Sequence, residues 1–114
     1  MAKVVIQINK TGNDYFKRVT NTILNLKKAL GEDLVECEIV LFGEGLNLLL
    51  SEDETIRSRI QEILDQDLRF IVCNNTLTKQ NIKLADLQCS VNSAGSGVAH
   101  LVTRQTEGWA YLAL

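Results

Sequence analysis

The chain has no proline, a single histidine (His100) and only three cysteines, none in a Cys-x-x-Cys pair. Each scarcity removes a class of protein. A thioredoxin-like redox site joins a Cys-x-x-Cys pair to a cis-proline loop, and both parts are missing. Cys37, Cys73 and Cys89 are odd in number and widely spaced, which is no disulfide framework, and one histidine cannot complete a zinc site. Reduced thiols are the default. No apolar run approaches the roughly 20 residues that span a bilayer, so no membrane partner is expected. Basic residues number 12 against 14 acidic ones, and pairs such as Lys27-Lys28 are scattered as on solvated helix faces. That argues against nucleic acid as a partner. The loops at Gly12 and at Gly43-Glu44-Gly45 match neither phosphate-binding fingerprint, and Glu44 would repel a phosphate, so both read as turns. No cofactor and no metal are expected.

With 114 residues, 46% of them hydrophobic, the chain has the material for one substantial core, and a single domain over residues 1–114 is expected. Its first residues, MAKVVIQINK, enter an alternating strand pattern directly. The expectation is no signal peptide and a cytoplasmic protein.

Strand and helix patterns alternate. Lys3 to Ile8 reads as a strand. Phe16, Val19, Ile23, Leu26 and Leu30 form one apolar helix face closed by Gly31. Val35 to Phe42 is a second strand. Ser51 and Glu54 are placed as a capping box for a helix that buries Ile56, Ile60, Ile63 and Leu64. LRFIVC is a third strand, and a short helix starts near Asn75 or Thr76. After an irregular KLADLQ stretch, a brief fourth strand is placed around Cys89 to Val91. Ser93 is placed as the cap of a last helix with Val98, Leu101, Val102 and Gln105 on one face. Gly108 ends that helix, and WAYLAL closes as a strand. This order predicts a mostly parallel sheet covered on both faces by helices, a three-layer α/β/α sandwich. The apolar LNLLL stretch at 46–50 reads either as burial against another subunit or as a helical turn tucked under the sheet.

Ligands of such sheets bind beyond the carboxyl ends of the strands. Cys73 closes the third strand and precedes a helix start, where N–H groups stabilise a thiolate. Asn74, Asn75 and Thr76 add amide and hydroxyl groups that could solvate an anionic sulfur. Against this stands a small buried hydrophobe at a strand end. Cys37 points inward between Glu36 and Glu38 and reads as core packing; Cys89 reads as structural. His100 falls about 200° from Val98 around its helix, on the surface or at a subunit contact rather than as a base for Cys73.

Three stretches, FGEGLNLL, FIVCNNTL and SGVAHLVTRQTEGWAYL, resemble the DsrE/F-like family, in its small single-domain branch. With the first strand and helix, the resemblance covers essentially the whole chain. It implies a three-layer α/β/α fold with a five-stranded, mainly parallel sheet, and homo-oligomers, trimers or hexamers. Family members in sulfur relay carry sulfur as a persulfide on the cysteine that corresponds to Cys73. Those relay proteins follow their cysteine with small residues and an arginine-glycine, whereas NNTLTK follows here, so the acceptor-facing surface differs. The resemblance implies a cysteine-based sulfur carrier or sulfurtransferase-like protein with a donor or acceptor partner. The alternatives are a small-molecule binding module, with Cys73 merely lining the crevice, and an oligomeric scaffold without catalysis.

Overall fold

The computed structural model describes residues 1–89 and 91–114. Five strands, β1 (Ala2–Ile8), β2 (Leu34–Leu41), β3 (Arg69–Cys73), β4 (Asn92–Ala94) and β5 (Ala110–Ala113), form one sheet in the order β4-β3-β2-β1-β5. Every pairing is parallel. Four α-helices connect them: α1 (Asn13–Leu30), α2 (Glu54–Asp65), α3 (Asn74–Lys79) and α4 (Gly97–Thr106).

Handedness explains which face each helix covers. From β1 to β4 the chain steps outward in one direction, then returns across the sheet to place β5 beside β1. Right-handed crossovers in opposite directions must use opposite faces. Val4, Ile6 and Ile8 of β1 therefore pack with Phe16, Val19 and Ile23 of α1 and Ile56, Ile60 and Ile63 of α2. On the other face Val5, Val40 and Ile71 pack with Leu101 of α4 and Trp109. Strands buried on both faces read as continuous apolar runs, which is what β2 is. Each such aliphatic side chain contributes about 1.5–3 kcal/mol on burial.

Several expectations need correcting. The cap of α2 is Asp53, whose Oδ1 accepts the Ile56 N–H at 3.1 Å. Ser51 instead accepts the Asp53 N–H, and Glu54 is already helical. Helix α3 starts at Asn74, directly after Cys73. The fourth strand lies at Asn92–Ala94, where it pairs with Ile71, Val72 and Cys73. Cys89 and Val91 spend their apolar character packing on the core from the preceding segment, and Ser90, within the span expected for that strand, lies outside the described residues. Ser93 is consequently a strand residue, and the cap of α4 is Ser96, whose Oγ accepts the Ala99 N–H.

The register of α4 also differs. Leu101 is buried, but Val98 and Val102 are 55% and 58% exposed. Gln105 is exposed too. The inward face is Gly97, His100, Leu101 and Arg104, because the sheet beneath presents a buried carboxylate, Glu38, which takes His100 and Arg104 as partners. LNLLL belongs to a 3-10 segment, Gly43–Leu50, and Leu46, Leu48 and Leu49 are fully buried in the chain's own core. The tucked-turn reading holds, and these leucines offer no surface to another subunit.

Candidate functional site

Cys73 is the last residue of β3 and the N-cap of α3, at the carboxyl edge of the sheet. Its strand neighbour is Ala94 of β4. After β4 the chain turns through Gly95 and Ser96 into α4, so the N-terminus of α4 returns over the same edge. The contact is close because residue 97 is glycine. A Cβ there would lie 3.3 Å from Cys73 Cβ and equally near Phe42 Cβ.

Four donors converge on the sulfur: the N–H of Gly97, the hydroxyl and N–H of Thr76, and the N–H of Asn75. Thr76 is pre-set for this, since its Oγ1 accepts the Gly43 N–H at 3.1 Å and its own proton is left for the sulfur. Gly43 is fixed in turn by a positive φ of 55° and by Gln80 Nε2 donating to its carbonyl at 3.1 Å. Cys73 is only 5% exposed, and burial pushes its thiol pKa up. The hydrogen bonds from Gly97, Thr76 and Asn75 outweigh burial, and the thiol lies below its ordinary value.

The other two cysteines move the opposite way. Cys37 is 1% exposed, and burial, with Glu38 adding repulsion, pushes its thiol up to about 11. Cys89 is half-buried and raised by burial. Asn74 and Asn75 are exposed at the turn, and Asn75 also donates its N–H to the Gly95 carbonyl at 3.3 Å. Asn75 thus reaches the sulfur through its backbone rather than its amide.

His100 is neither loose on the surface nor turned to Cys73; its Nε2 lies 2.8 Å from Glu38 Oε1. Glu38, 3% exposed, also receives Arg104 through Nε at 2.7 Å and Nη2 at 2.9 Å, and Arg69 Nη2 at 3.3 Å. Arg104 in turn lies 4.5 Å from the centre of the Trp109 ring. An open cleft of about 520 Å³ lies at the opposite, amino edge of the sheet, lined by Val35, Glu36, Arg69 and Val91 among others. Among the described residues no cluster of His, Cys, Asp or Glu could hold a metal ion, and no helix is long and apolar enough to cross a membrane.

Sequence reading missed Gly97, Phe42 and Glu38. The Gly-Ser-Gly run at 95–97 was the available signal for Gly97, and a glutamate within an apolar strand was the signal for Glu38.

The pattern of the DsrE/DsrF-like family matches residues 2–114. The chain belongs to that family. Among solved structures, this DsrE/DsrF-like chain is similar to a protein of unknown function, MTH1491, from Methanobacterium thermoautotrophicum. The two are 34% identical, each is covered over 100% of its length, and the TM-score is 0.82. The ychN protein from E. coli, 16% identical with 100% of both chains covered, gives a TM-score of 0.76. BT1422 of Bacteroides thetaiotaomicron, a conserved protein of unknown function, is 19% identical over 98% of this chain and 94% of its own, with a TM-score of 0.73. These last two likenesses concern the fold alone. No curated protein matches the chain.

Proposed function

We propose that this DsrE/DsrF-like protein is a cytoplasmic sulfur carrier that holds sulfane sulfur as a persulfide on Cys73. The observation that supports this reading is the ring of donors from Gly97, Thr76 and Asn75, which favours an anionic sulfur although Cys73 is buried. A persulfide is more acidic than a thiol and is anionic at neutral pH, so it gains from the same donors. The resemblance of FIVCNNTL to the sulfur-relay proteins points to the same residue.

In the loading step the Cys73 thiolate attacks the outer sulfur of a donor persulfide R–S–SH. The donor's S–S bond breaks, a new S–S bond forms on Cys73, and the donor leaves as R–S⁻. Thr76 and the N–H groups of Gly97 and Asn75 hold the negative charge before and after transfer. Asn74, exposed beside them, lines the approach. Discharge is the same exchange with an acceptor thiolate, and no cofactor takes part. The donor and acceptor are the partners this chemistry requires, and a trimeric or hexameric assembly accompanies the reading.

The test is intact mass after incubation with a small persulfide donor, with and without reductant. The expected result is a reducible gain of one sulfur that vanishes in Cys73→Ser and persists in Cys37→Ser and Cys89→Ser. No gain, or a gain spread evenly over the three cysteines, overturns the proposal.

A further inference from the structure

Strand β5 is an edge strand with none of the usual protection. Natural edges are blunted by charge, proline, a bulge or a covering element. Ala110, Tyr111, Leu112 and Ala113 carry no charge and no proline, their register against β1 runs without a shift, and all four are exposed. Tyr111 is 40% and Leu112 36% exposed, and strand alternation places them on opposite faces of the sheet. A helix docked on one face would cover only one of them. An added strand continues both faces at once.

The hydrogen-bond pattern says which strand fits. Leu114 donates its N–H to the Gln7 carbonyl of β1 at 3.2 Å. By alternation Ala110 and Leu112 also turn their backbone groups toward β1, so the N–H and C=O of Tyr111 and Ala113 point away from the sheet. The next outward position back along the chain, Trp109, is already engaged, its N–H donating to the Arg104 carbonyl at 3.1 Å. An antiparallel partner must therefore be centred on Leu112. A second copy of β5 placed by a twofold axis at Leu112 sets Tyr111 opposite Ala113 of the second copy, and the reverse, as hydrogen-bonded pairs. Every outward N–H and C=O then finds a partner, and no charge faces a like charge.

We infer that β5 pairs antiparallel with β5 of a second copy of this chain, about a twofold axis at Leu112, joining two five-stranded sheets into one. The inference is independent of the sulfur chemistry. Of the trimer and the hexamer it selects the hexamer, because a trimer alone has no twofold axis.

At the axis, Leu112 faces Leu112 of the second copy in a non-hydrogen-bonded pair, with Cα atoms about 4.5 Å apart, within disulfide reach. Three full-length variants test this. Ala113→Pro removes an outward N–H while leaving the ladder to β1 intact, and Leu112→Lys sets two charges face to face. Light scattering should give an even number of copies for the wild type and half that mass for both variants, with thermal melts confirming that they remain folded. Leu112→Cys in a Cys89→Ser background should form a reducible crosslinked dimer on mild oxidation, and this decides the matter even where the charged variant fails to fold. A monomeric or trimeric wild type, or absence of the crosslink, overturns the pairing.

Discussion

Glu38 and Arg104, 66 positions apart in the chain, meet in a two-pronged pair, Nε to Oε1 at 2.7 Å and Nη2 to Oε2 at 2.9 Å. The carboxylate stands on β2 and the guanidinium on α4, so this pair fixes how the helix is turned over the sheet. His100 completes the same carboxylate from one turn earlier. With Glu38 occupied from both positions, Gly97 at the start of α4 is brought down on Cys73. The buried ion pair thus links helix register to the candidate site.

Loss of that pair should be costly. Burial alone would raise the Glu38 pKa, but hydrogen bonds from Arg104 and His100 outweigh it and hold the carboxyl below its ordinary value. A depressed carboxyl contributes stability that is present above its unfolded pKa and lost as pH falls through its folded pKa. Glu38→Gln should cost about 3 kcal/mol at neutral pH, since it strands the partners of a buried charge. Urea titrations at neutral pH and across the acid range should find the wild type losing its advantage over Glu38→Gln as the pH falls below the ordinary carboxylate range. A variant as stable as the wild type at pH 7 would contradict this.

Much of the layering was legible because apolar periodicity responds to burial wherever it occurs. Phe16, Val19 and Ile23 recur at helical spacing and are buried, and the run from Leu34 to Leu41 has the continuous apolar character of a parallel strand. Helix α4 was legible as a helix but not in rotation. Val98 and Val102 outscore His100 and Arg104 on hydropathy, and only the distant Glu38 makes the polar pair the inward one. Cys73 was visible as a strand-end thiol before a helix. Gly97 was not visible as its neighbour, since the return of the chain over that edge depends on the crossover that places β5 beside β1.

The three thiols should separate by pH. Alkylation follows the thiolate, so Cys73, below its ordinary value, should label at lower pH than Cys89 or Cys37, both raised by burial. Peptide mapping after brief iodoacetamide treatment at stepped pH gives the order. Equal or slower labelling of Cys73 near neutral pH would make it a packing residue.

Cys37 carries an alkaline signature. Its thiol rises from 9.0 to about 11 on folding, mainly through burial. A raised pKa contributes stability that is full below the unfolded value and lost as pH rises through the folded one. The full effect of a shift of this size is about 3 kcal/mol. Unfolding free energies measured between pH 8 and 11 should fall more steeply for the wild type than for Cys37→Ala. Parallel slopes would mean that Cys37 stays unionised in both states.

Gly45 is a packing requirement rather than a turn preference. A Cβ there would lie 2.0 Å from the Ile8 carbonyl oxygen and 2.6 Å from its carbon, both backbone atoms of β1. Rigid neighbours cannot yield as a flexible side chain would, so Gly45→Ala should destabilise by about 3 kcal/mol or more. Gly31→Ala is the comparison. Its Cβ would meet nothing within 4 Å, and only its φ of 56° opposes the change, at about 1 kcal/mol. Thermal melts in which Gly31→Ala is the more damaging of the two would refute this ranking.

Thr76 offers the finest test of how the sulfur is held. Its hydroxyl accepts from Gly43 and donates to Cys73, whereas its methyl group makes neither bond. Thr76→Val keeps the shape and removes the hydroxyl, so one donor to the sulfur is lost and the Gly43 N–H is orphaned. The Cys73 pKa should rise, moving the midpoint of its alkylation profile to higher pH, and stability should fall by about 1 kcal/mol. Thr76→Ser retains the hydroxyl and should restore the midpoint. Gly97→Ala acts on the same sulfur from the other side, because a Cβ 3.3 Å from both Cys73 and Phe42 lifts the start of α4 and its N–H away. It too should raise the midpoint, with no rescue from any larger residue. If neither Thr76→Val nor Gly97→Ala moves the profile, the donors around Cys73 do not govern its ionisation, and burial alone sets the behaviour of the thiol.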